Sequence, residues 1–106
     1  MPKYLLEVSL SKKGLQGTLK AGGTARRAAA EALVKSVGGK LESFYYAFGD
    51  RDVFVLIEVP DNASAARVAT AVTASGAGSV KTTVLLSPKE IDQIGKSTPD
   101  YRPPGA

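Results

Sequence analysis

The sequence contains no histidine and no cysteine in 106 residues. These two absences remove much of the familiar chemistry at once. Zinc, copper and haem centres lose their usual ligands, and neither a Ser-His-Asp triad nor a thiol nucleophile can be assembled. Acid–base work is left to Asp, Glu, Lys or Tyr, so neither a metal nor a cofactor is expected. Small secreted domains usually reinforce a thin core with disulfides, so the lack of cysteine points to a reducing, cytoplasmic setting. Met1-Pro2-Lys3 runs straight into a strand-like segment, with no leader-like stretch. No apolar run has the length of a membrane span. There is also no block of one charge. Lys and Arg total 14 against 10 Asp and Glu, a net charge of +4, but the cations are scattered singly or in pairs. That spacing argues against a nucleic-acid arm.

What is present reads as one α+β domain. Residues 3–10 alternate as a strand, with Tyr4, Leu6, Val8 and Leu10 on one face and Leu5, Glu7 and Ser9 on the other. Ser11 caps a short helical turn through Leu19, Gly22-Gly23 interrupts it, and Thr24 is placed to cap a second helix that ends before Gly38-Gly39. On that helix Ala30, Leu33 and Val37 centre an apolar stripe, flanked by Ala29 and Val34. Arg26 falls on the same side by helical angle. Residues 40–48 form an aromatic strand, residues 52–59 its hairpin partner across a Gly49-Asp50-Arg51 turn, residues 62–75 an alanine-rich helix and residues 79–86 a fourth strand. Ser87-Pro88-Lys89-Glu90 is a capping box with proline at the first helical position. Residues 1–95 are therefore expected to form the domain, and residues 96–106 a flexible tail. The order β-α-β-β-α-β is the ferredoxin-like split arrangement, a four-stranded antiparallel sheet ordered 4-1-3-2 with the helices on one face.

The third strand is apolar on both sides. Val53, Val55, Ile57 and Val59 share one face, and Phe54 and Leu56 the other. A sheet with one wet face should instead alternate apolar and polar residues. The uncovered face, with Leu5, Phe54, Leu56 and Leu85, is best covered by a second copy of the chain. Glu7, Glu58 and Lys81 interrupt that face, so the expected homodimer interface is mixed and has room for a small cavity. The alternative is a monomer with a half-wet sheet.

Two segments, Gly22-Gly23-Thr24-Ala25-Arg26-Arg27 and Phe44-Tyr45-Tyr46-Ala47-Phe48-Gly49-Asp50-Arg51-Asp52, resemble the signature segments of the GYD domain family. Lys81-Thr82-Thr83 and the Leu-x-Pro-x-Glu pattern around Pro88 resemble it too. The likeness covers roughly residues 3–94. It implies a small bacterial protein of the dimeric α+β barrel type, and it carries no activity with it. The superfamily includes cofactor-free monooxygenases, isomerases, haem proteins and ligand sensors, and the haem branch that needs a proximal histidine is closed to this chain. The family usually has an aromatic where this sequence has Arg51.

The fold should bring the two segments together at one end of the sheet. One reading is a small-anion or carboxylate site with Gly23, Thr24, Arg26, Tyr45, Tyr46, Asp50 and Asp52 as candidate ligand-binding residues. The simpler reading pairs Arg26 with Asp50 or Asp52. Glu7 and Glu58 are candidate general bases, although a neighbouring Lys81 would make them ordinary interface pairs. The expectation is a homodimer or larger oligomer that binds a small anionic or aromatic ligand, or a partner, without catalysis. A cofactor-free isomerase or monooxygenase is the first alternative. An RNA-binding module is the second, and the lack of matching aromatics on the two central strands argues against it.

Overall fold

A computed structural model describes residues 1–105. The element order is β1 (Lys3–Leu10), α1 (Lys12–Ala21), α2 (Gly23–Ser36), β2 (Lys40–Tyr46), β3 (Val53–Glu58), α3 (Asn62–Ala74), β4 (Gly78–Leu85) and α4 (Pro88–Lys96). The strands form one antiparallel sheet in the order β2-β3-β1-β4, as the sequence pattern implies.

The period-2 pattern of β1 and β3 sets which face is which. Tyr4, Leu6 and Val8 pair with Ile57, Val55 and Val53, and all six are buried beneath the helices. Val34 from α2, Leu41 from β2, Val59 after β3, and Ala65 and Val68 from α3 complete that core. Tyr4 is only 1% exposed, and its hydroxyl donates to Asn62 Oδ1 at 2.6 Å, tying the strand to the first residue of α3. On the opposite face Leu5, Glu7, Phe54, Leu56 and Glu58 are half-buried with no layer over them.

Several boundaries differ from the sequence reading. The segment after Ser11 is a full ten-residue helix, α1, whose N-cap Ser11 accepts from the Gly14 amide. Thr24 is not the cap of α2. Gly22 is at once the last cap of α1 and the first of α2, with φ 95° and ψ 150°. Two helices that abut through one residue need that backbone shape, which is essentially restricted to glycine. Thr24 consequently lies inside the first turn, and no side chain caps α2. β2 stops at Tyr46 rather than residue 48, so Phe48 is fully exposed in the connection instead of sharing a face with Phe44 and Tyr46. A register shift between Leu41 and Ser43 places a bulge at Glu42, and the Glu42 carboxylate receives the Lys3 amine at 2.9 Å. No helix is long and apolar enough to cross a membrane among the described residues.

Candidate functional site

The helical layer is made largely of small side chains, and it does not fill the space above the sheet. A cavity of about 370 Å³ remains between α1, α2 and α3 on one side and the sheet on the other. Its floor is Leu6, Val8, Val53 and Val55, and its roof includes Ala29, Ala30, Val68 and Val72. The charged residues that line it are Lys13 and Arg26; among the described residues no carboxylate does. Lys13 Nζ donates to the Ser75 carbonyl at 3.2 Å. Arg26 is exposed at the rim and forms no ion pair among the described residues. The expected pairing of Arg26 with Asp50 or Asp52 is absent, and its side chain is not buried. Its α-carbon does lie on the inward side of α2, and the long side chain carries the charge out to the cavity mouth.

Tyr46 closes that mouth from the sheet side. Its hydroxyl donates to the Gly23 carbonyl at 3.1 Å, joining β2 to the start of α2. The ring stands edge-on to Phe44 with centroids 5.2 Å apart. Burial pushes the Tyr46 phenol above its ordinary range, and the Arg26 guanidinium nearby opposes that rise. A β-carbon added at Gly23 would meet the Tyr46 ring at 3.0 Å, so glycine there permits the close approach.

The other sequence candidates go elsewhere. Tyr45 sits across from Phe54 on the open face of the sheet, away from the cavity. Asp52 is a latch: its Oδ2 accepts the Leu10 amide at 2.7 Å and its amide donates to the Val8 carbonyl at 2.9 Å. Arg51 donates to the Ser9 hydroxyl at 3.1 Å, holding the same connection to the end of β1. Asp50 and Thr24 are exposed. Gly23, Arg26 and Tyr46 are thus brought together, while Thr24, Tyr45, Asp50 and Asp52 are not part of that group. On the open face Glu7 lies 3.8 Å from Lys81. Glu58 is the cross-strand neighbour of both Lys3 and Lys40. No group of His, Cys, Asp or Glu able to hold a metal ion occurs among the described residues.

The cavity itself escaped the sequence reading. Its signal was present in the alanines of α2 and α3, whose small side chains leave a sheet-facing layer unfilled. The sequence model for the GYD domain matches residues 4–94. A search of curated proteins gives no match.

Proposed function

We propose that this chain, which belongs to the GYD domain family, binds a small, mostly apolar molecule carrying one negative charge in the cavity under α2. The observation that carries this reading is the lining: an apolar hollow edged by Lys13 and Arg26 with no acid among the described lining residues to neutralise them. A cation at the rim of an apolar pocket fixes the orientation of an anionic end, and the hollow takes the rest of the ligand. The volume corresponds to about 12 waters at roughly 30 Å³ each, which fits a carboxylic acid of about 10–14 non-hydrogen atoms. Tyr46 offers a hydroxyl beside the same rim.

Binding without catalysis is supported by where the acids lie. Glu7 and Glu58 sit on the far side of the sheet, where Lys81 and Lys3 neighbour them, and among the described residues no carboxylate lines the hollow to act as a general base. The open face supports a second part of the reading, a homodimer in which two copies stack their uncovered sheets through Leu5, Phe54 and Leu56. Its acids Glu7, Glu42 and Glu58 offset its lysines Lys3, Lys40 and Lys81, so it presents no net positive surface for nucleic-acid phosphates. The lack of cysteine supports a cytoplasmic setting.

The test is thermal unfolding of the purified protein with octanoate, octanol and octylamine. Octanoate at 100 times its Kd should add about 2.7 kcal/mol, raising Tm by about 10 °C or more. Octanol should act more weakly and octylamine least. Arg26→Gln should bring octanoate part of the way down to the level of octanol, Lys13 holding the remainder. Equal effects of all three compounds, or none from any, would contradict the proposal.

A further inference from the structure

Every residue from Leu86 to Gly105 is exposed, including the whole of α4. This is an unusual condition for a helix with a complete capping box, in which the Ser87 hydroxyl accepts from the Glu90 amide and the Glu90 carboxylate from the Ser87 amide. A nine-residue helix is marginal in water by itself, and an amphipathic one normally lays its apolar face on something. Here Leu86, Ile91 and Ile94 are each about half exposed. The arm also stretches the molecule. Its radius of gyration is 16.9 Å, against about 13 Å for a compact domain of this length.

We infer that the arm is exchanged: the apolar face of α4 docks on a second copy of this chain, in the groove between α3 and the outer edge of β4. The inference rests on the stacked-sheet dimer proposed above. Three observations support that occupant.

The first is area. Four strands about 4.8 Å apart and about seven residues long at about 3.3 Å each present roughly 440 Å² in plan; the accessible surface of such a face is larger than its plan, which puts the sheets alone at the low end of the roughly 600–1,000 Å² per partner of a standard interface. Burying the apolar face of the arm moves the dimer up that range. The second is continuity. The arm leaves from Leu85, which pairs with Lys3 on the open face, so it starts at a corner of the stacked surface. The two extended residues Leu86 and Ser87 and the nine helical ones together span about 20 Å, enough to cross the roughly 10 Å between stacked sheets and pass round the partner's β4 edge to its helical side. The third is fit. The groove is about 230 Å³ and is lined by Tyr4, Ala65, Ala66, Ala69 and Val84 among others. The eight side-chain carbons of Ile91 and Ile94 need about 240 Å³ at a water-like share of about 30 Å³ each.

The experiment is sedimentation velocity over a concentration series on the full chain, with far-UV circular dichroism as the folding control. Four proteins are compared: the wild type, I91D/I94D, A66R on the groove wall, and F54D on the open sheet face. The wild type should be dimeric. I91D/I94D and A66R should each raise the dimer Kd by about 100-fold or more, with unchanged secondary structure, because the altered side chains are exposed within one chain. A wild-type dimer whose Kd is unmoved by I91D/I94D overturns arm exchange, and if F54D still dissociates it, sheet stacking stands. A dimer unmoved by A66R overturns the groove as the seat. If the arm variants dissociate the dimer and F54D does not, stacking fails and arm exchange by the route argued here is overturned with it. A wild-type monomer at all concentrations overturns both.

Discussion

Ala30→Leu tests whether the hollow under α2 is space or only an arrangement of surfaces. Ala30 is on the inward side of α2, half-buried, and lines the cavity. Leucine adds three carbons, which need about 90 Å³ at a water-like share of about 30 Å³ each, well within the 370 Å³ present. At about 0.8 kcal/mol per buried carbon the upper limit of the gain is about 2.4 kcal/mol. Part of the new side chain stays near the mouth, so about 1–2 kcal/mol of stabilisation is expected. Helix propensity changes little between alanine and leucine. Were the site filled in solution by the packing of its own walls, the same substitution would overpack the core and cost about 1–3 kcal/mol. The sign therefore decides. Urea unfolding followed by circular dichroism reads it: the midpoint should rise at constant slope, and Tm should rise by about 4 °C or more. A drop in midpoint equivalent to 1 kcal/mol or more would refute the cavity. The same variant should lose octanoate binding, since the added carbons occupy the ligand's place.

Three further outcomes follow from the geometry. Asp52→Ala should destabilise the fold by about 1.5–3 kcal/mol in urea unfolding, because it frees the partly buried Leu10 amide from a charged acceptor. Asp52→Asn should recover much of the loss. Gly14→Ala should lower stability by about 1–2 kcal/mol although alanine is the better helix former, because its β-carbon overlaps the Ala77 carbonyl oxygen; a gain in Tm would contradict that close approach. The Tyr46 phenol should titrate above the ordinary value of about 10 in phenolate difference absorbance between wild type and Tyr46→Phe. Its folded pKa is raised, so the stability it contributes is present below the unfolded value and is lost as pH rises through the folded one. Arg26→Gln removes the opposing charge and should move that titration higher still.

The sheet was largely legible in the sequence because period-2 patterning is a strong constraint. Tyr4, Leu6 and Val8 against Val53, Val55 and Ile57 admit one inward face, and the order β2-β3-β1-β4 follows from the connections. Local signals failed where tertiary geometry overrode them. Thr24 has the chemistry of an N-cap, but the helix starts two residues earlier at a backbone shape that a threonine does not adopt. Phe48 continues the aromatic alternation of β2, yet the Ala47 amide already donates to the Asp52 carbonyl, which closes the hairpin before it. Arg26 was placed correctly by angle and wrongly by depth, since an α-carbon position does not say where a long flexible side chain ends. Asp52 and Tyr46 stood together in one sequence segment. The structure separates them into a latch on β1 and a gate on α2, and no spacing rule distinguishes the two.

Amide chemical-shift mapping during titration with octanoate locates the ligand most directly. The expected result is a set of saturable shifts at Ala30, Val55, Val72 and Tyr46, around the cavity, that disappears in Ala30→Leu and weakens in Arg26→Gln. Shifts confined to Phe54, Leu56 and Tyr45 on the open face of the sheet, or no saturable shifts at all, would contradict it.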